Sequence, residues 1–72
     1  MFSQEKFGER LKAVRLIHGE KQSDLGEAVG LRKSQISEIE SGKKSTTIEK
    51  FALICEHYQV SADYLLGFRD ED

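Results

Sequence analysis

Residues 22–42 read QSDLGEAVGLRKSQISEIESG, and the spacing of apolar residues and glycines in this stretch decides the fold. Leu25 and Val29 stand four residues apart, and Gly30 follows them. Ile36 and Ile39 stand three apart, and Gly42 follows them. Intervals of three and four put side chains on one face of a helix, and glycine just past the last apolar residue marks a helix end. The stretch therefore predicts two short helices, Gln22 to Val29 and Lys33 to Ser41, with only Gly30-Leu31-Arg32 between them. Two helices across so tight a turn form a helix-turn-helix unit, whose second helix can enter the DNA major groove.

Outward from this unit the helical pattern continues. A first helix from Gln4 to His18 carries Phe7, Leu11 and Val14 on one face, with Ser3 as N-cap and Gly19 as the stop. A fourth, Ile48 to Tyr58, stacks Ile48, Phe51, Cys55 and Tyr58, capped either by Thr46 with Glu49 or by Thr47 alone. A fifth of one or two turns, Ala62 to Leu66, is capped by Ser61. Residues 1–67 thus make one domain. The acidic tail, residues 68–72, has no apolar period and is expected to fray.

The whole chain has 72 residues, 38% hydrophobic and 33% charged, with no proline. That composition excludes a disordered or membrane-spanning chain, and the length allows one small core without room for a typical enzyme pocket. No signal-peptide pattern opens the chain, and a lone cysteine, Cys55, fits a reducing cytoplasm. Cys55 reads as a small buried hydrophobe. His57 falls on the opposite side of its helix, so the two make no metal pair. His18 is placed to answer the carbonyls that end the first helix. No Ser-His-Asp arrangement and no glycine-rich phosphate loop is present, so no metal, no cofactor and no enzymatic activity are expected.

The surface of the third helix carries the functional argument. With Lys33 at zero and about 100° per residue, Ile36 and Ile39 fall near 300° and 240° and define the buried side. Ser34, Ser37, Glu38 and Ser41 lie on the other side, flanked by Lys33 and Gln35. Short hydroxyls, amides and an ammonium can approach base edges, where lysine donates to guanine, glutamine pairs with adenine and glutamate accepts from cytosine. A merely solvated helix face has a similar composition. Glu40, near 340°, leans toward the core and needs a partner there. Arg15 lies at the edge of the first helix's apolar face, which makes an Arg15–Glu40 pair the expected tie between the two helices.

Taken in order, Phe7-Gly8-Glu9-Arg10-Leu11-Lys12-Ala13-Val14-Arg15, then Gln22-x-x-Leu25, then Gly30-Leu31-x-x-Ser34-x-Ile36-Ser37-x-Ile39-Glu40-Ser41-Gly42-Lys43, resemble the phage repressor and Cro type of regulator, the Xre family. Ile48-Glu49 and Val60-Ser61-x-Asp63-Tyr64-Leu65-Leu66-Gly67 extend the resemblance nearly to the end of the chain. The resemblance implies an all-α, compact five-helix lambda-repressor-like DNA-binding domain that binds double-stranded operator DNA as a homodimer and represses or activates transcription, with repression the expected role. It places Lys33, Ser34, Ser37 and Glu38 against bases. Gln22, Arg32, Ser41, Lys43 and Lys44 fall against phosphates, and Gln35, flanking the reading face, joins them as a candidate backbone contact. It also implies a buried pair at Arg15 and Glu40.

The chain departs from the family pattern at four places. Arg32 and Lys21 stand where capping residues are usual, and Glu20 replaces an apolar residue, which predicts a looser first loop. Gly26 replaces alanine, allowing close packing at a cost in helix propensity of up to about 1 kcal/mol. Thr46 replaces a proline of little consequence.

Net charge is −2, yet it is unevenly spread. Residues 1–21 carry five basic and three acidic groups, residues 22–44 four of each, and residues 45–72 two basic and six acidic. Acidity is therefore concentrated away from the proposed groove, and only modest non-specific affinity for DNA follows.

One short helix reads few base pairs, so two-fold pairing with half-sites about 34 Å apart is expected. Candidate contacts between copies are Tyr58, Leu66 and Phe68, with Tyr64 more consistent with the core. Neither a membrane nor a small-molecule effector is indicated. Two other readings stand beside a stand-alone regulator: an antitoxin-type regulator with a toxin partner, and a helical protein–protein adaptor without DNA binding.

Overall fold

A computed structural model of the chain describes residues 1–70. Five helices follow one another, α1 (Gln4–Ile17), α2 (Gln22–Val29), α3 (Lys33–Glu40), α4 (Ile48–Tyr58) and α5 (Ala62–Leu66), and no strand occurs among the described residues. Helix α1 packs against α3 and α5, and α2 packs against α3 and α4. Leu11, Leu25, Ile36, Ile54 and Leu65, one from each helix, are completely buried and meet in a single core with Phe7, Val29, Ile39 and Tyr58. Each of these aliphatic side chains contributes about 1.5–3 kcal/mol by leaving water, which is what holds five short helices together.

The caps explain where the helices begin. Ser3, Thr47 and Ser61 accept hydrogen bonds from the backbone N–H groups of Lys6, Lys50 and Tyr64. For α4 the cap is thus Thr47 alone. Lys21 and Arg32 have no side chain that can accept, and the cap is made from the other direction: the Asp24 carboxylate accepts from the Lys21 N–H at 2.8 Å, and the Gln35 carboxamide accepts from the Arg32 N–H at 2.8 Å. This is the reciprocal half of a capping box, carried by the third residue of each helix. His18 Nδ1 lies 2.9 Å from the Val14 carbonyl and closes the end of α1.

Two glycines set the closest approaches. A Cβ on Gly8 would lie 2.3 Å from the Ile39 carbonyl oxygen, and one on Gly26 would lie 2.4 Å from that of Leu31. Both obstacles are backbone, so only hydrogen lets α1 settle on the end of α3 and α2 on the turn that follows it.

Three expectations need correction. Ile48 is 83% exposed, and the face of α4 that packs inward is Phe51, Ile54, Cys55 and Tyr58. Ile48 occupies the first helical position of α4 and stands in solvent, whereas Ile54 points into the core. The loop before α2 is not loose. Glu20 accepts from the Tyr58 hydroxyl at 2.8 Å and has His57 Nε2 3.0 Å from both of its oxygens, while its carbonyl accepts from Arg15 Nη1 at 2.7 Å. A carboxylate where an apolar residue is usual therefore ties the loop to α4 by hydrogen bonds instead of by packing.

The start of the tail is also held. Phe68 and Arg69 donate backbone hydrogen bonds to the Asp63 carbonyl, and Arg10 donates to the Arg69 carbonyl and to Asp70, with its guanidinium 4.5 Å above the Tyr64 ring. Glu71 and Asp72 lie outside the described residues.

Candidate nucleic-acid interface

The inner side of α3 is anchored by an ion pair. Arg15 Nε donates to Glu40 Oε2 at 2.6 Å and Arg15 Nη2 to Glu40 Oε1 at 3.0 Å, a two-pronged contact between side chains only 7% and 3% exposed. Gln22 Nε2 adds a third hydrogen bond to Glu40 at 3.1 Å. The hydrogen bond to Glu40 raises the Arg15 pKa above its ordinary value against the opposing effect of burial. Arg15 Nη1 also reaches the Glu20 carbonyl, so α1, α3, the start of α2 and the loop before it share one polar knot. A paired buried charge of this kind is costly to break from one side only.

The outer side of α3 is different. Lys33, Ser34 and Ser37 are exposed, and Glu38 is half-exposed. They occupy one face, opposite Ile36 and Ile39, which stays open among the described residues. The Glu38 carboxylate lies 3.7 Å from Lys44 Nζ, an exposed pair that adds little stability.

The candidate backbone contacts divide into two groups. Arg32, Lys43 and Lys44 are exposed cations at the two ends of α3. Ser41 is exposed, its hydroxyl donating to the Glu38 carbonyl. Gln22 and Gln35 are half-buried and already engaged, one with Glu40 and the other as the cap of α3. Their placing shows roles that the helical wheel did not reveal. For Gln35 and Asp24 the usable signal was the i to i+3 spacing from Arg32 and Lys21.

Beside this face runs a groove of about 260 Å³ between α3, the turn before it and the α3–α4 loop, with Gln35, Glu38, Lys44, Thr46 and Lys50 on its walls. Lys50 Nζ donates to the Val29 carbonyl at 2.8 Å and so closes the end of α2.

The proposed contacts between copies do not form one surface. Tyr58 is only 4% exposed, in tilted ring contact with His18 and His57 and hydrogen-bonded to Glu20. It is a core residue, because the hydroxyl finds its partner inside the chain. Burial first, and then the hydrogen bond to Glu20, push its pKa above the ordinary value. Burial pushes the Glu20 carboxyl up, but the hydrogen bonds from His57 and Tyr58 outweigh it and hold the group below its ordinary value. Leu66 is half-buried, and Phe68 is 60% exposed.

A sequence profile described as helix-turn-helix matches residues 11–65, most of the chain. The chain belongs to the helix-turn-helix family, of the Xre type. Within that family it is 32% identical over 63 residues to an uncharacterized HTH-type transcriptional regulator, YobD, of Bacillus subtilis, a match covering 88% of this chain and 56% of the relative. The chain thus spans little more than half the length of that curated relative. Among solved structures, the P22 c2 repressor protein in complex with a synthetic operator superposes with a TM-score of 0.79 at 33% identity, covering 83% of this chain and 91% of the repressor. The wild-type restriction-modification controller protein C.Esp1396I superposes with a TM-score of 0.74 at 29% identity, covering 90% and 84%. These relatives are regulators, a repressor and a controller, not enzymes. The five-helix architecture of this helix-turn-helix chain is that of the repressor domains it matches.

Proposed function

We propose that this chain is a sequence-specific, double-stranded-DNA-binding transcriptional regulator, acting as a homodimeric repressor on an inverted-repeat operator in the cytoplasm. The observation that carries the proposal is the two-sidedness of α3. Ile36, Ile39 and the paired Glu40 hold it rigidly, while Lys33, Ser34, Ser37 and Glu38 stand on its uncovered side. A helix fixed from behind and polar in front satisfies the requirement for reading base edges, which lies in placing a few side chains within hydrogen-bond reach. In this reading Arg32 and Lys43 clamp phosphates at the two ends of the helix, and Gln22, Gln35, Ser41 and Lys44 add backbone contacts.

Support comes from the P22 c2 repressor protein, solved in complex with a synthetic operator and matched over 91% of the solved chain. In this reading the second copy docks at the end of α5, a choice supported by the exposure of Phe68 and the half-exposure of Leu66. No helix of the described residues is long and apolar enough to cross a membrane.

Selection of bound duplexes from a random pool tests the proposal, and recovery of an inverted repeat is the expected result. A salt titration on a random duplex gives the second measurement. A slope of log affinity against log salt near zero would instead favour a protein–protein adaptor.

A further inference from the structure

Glu38 is an acid on the face offered to a polyanion, in a chain that is already net negative. Such a group repels every phosphate it approaches and lowers affinity unless a donor on the nucleic acid meets it. The major groove presents base donors at only two places, the N4 amine of cytosine and the N6 amine of adenine. Adenine sets the acceptor N7 beside its amine, which suits a carboxamide and repels a carboxylate. Cytosine carries no such acceptor on its major-groove edge, so a carboxylate on a reading helix selects cytosine.

The structure adds the geometry that makes this contact accessible. Glu38 sits in the second turn of α3, one residue beyond Ser37 on the exposed side, with its side chain 39% exposed. Lys44, from the loop that follows, lies 3.7 Å from Oε2 and offsets the charge. Oε2 is the oxygen turned to Lys44, which leaves Oε1 as the one to meet a donor on the open face. Resting on the DNA-binding reading above, we propose that Glu38 accepts a hydrogen bond from the N4 amine of a cytosine through Oε1, so that each operator half-site carries a fixed C·G pair beneath it.

The test is selection from a random duplex pool with the full chain and with two variants, Glu38→Gln and Glu38→Ala, whose fold is verified by their melting temperatures. The unmodified chain should enrich a motif with one cytosine per half-site, favoured over other bases by about tenfold. Glu38→Gln should change that position to adenine, and Glu38→Ala should relax it while leaving the other positions unchanged. Cytosine retained under both variants overturns the inference, as does any base other than cytosine at the position that Glu38→Ala relaxes. In either case the enriched motif itself leaves the DNA-binding reading standing. A pool in which the unmodified chain enriches nothing removes that reading, and this inference with it.

Discussion

Glu38 and Glu40 stand two residues apart on α3 and live in opposite environments. Glu40 is buried, held by two hydrogen bonds from Arg15 and one from Gln22. Glu38 stands half in solvent, with a single ammonium at 3.7 Å. The helix is the same and so is the side chain. Two residues turn the helix by about 200°, which is enough to move a carboxylate from the seam between α1 and α3 to the open face. The inner glutamate is thus a stability element, and the outer one is left half-exposed with little structural duty.

That division can be broken most severely at Arg15. Arg15→Ala strands Glu40 without its counter-charge and should cost about 3 kcal/mol of stability in chemical denaturation. A loss below about 0.5 kcal/mol would show that the inner side is no more anchored than the outer. Gly8→Ala comes next: its new methyl would press on the backbone carbonyls of Ile39 and Glu40, the end of the same helix. About 2 kcal/mol is expected, since two backbone segments must part. A stability equal to the parent would mean that α1 and α3 can move apart freely.

Tyr58→Phe probes the polar knot from the α4 side and should cost about 1 kcal/mol by removing one hydrogen bond to Glu20. The same cluster predicts a pH profile. The Glu20 carboxyl, held low in the fold, contributes stability that is present above its ordinary value of 4.5 and is lost as the pH falls through the lower value of the folded state. Tyr58, held high, contributes stability below 10.0 that is lost as the pH rises further, because the unfolded chain ionises there first. In Tyr58→Phe the alkaline part of this loss should shrink; thermal melts across pH 8–11 will measure it, and an unchanged alkaline limb would detach Tyr58 from the effect.

The smallest effect on stability is expected on the outer face. Lys33→Ala with Ser34→Ala should change stability by no more than about 0.5 kcal/mol, while the preference for operator over random duplex disappears in competition binding. Unchanged selectivity would remove these two residues as readers. A large loss of stability would dissolve the distinction between the two sides of α3.

Helix extents could be read from the chain alone to within one residue, because glycine stops, hydroxyl caps and three- and four-residue spacings are local signals. The meeting of Arg15 with Glu40 was also legible, since a charge on an apolar face requires a partner. Local pattern could not tell how far each helix extends past its neighbour. The packing of α4 leaves Ile48 in solvent, buries Ile54 and turns Tyr58 from a surface contact into part of the core. Nor could it show that the Glu20 carboxylate finds two donors on α4, 37 and 38 residues away. Hydrogen at Gly8 matters only once two backbones are brought to van der Waals distance. Periodicity specifies which side of a helix turns inward, but only the assembled packing determines which atoms wait there.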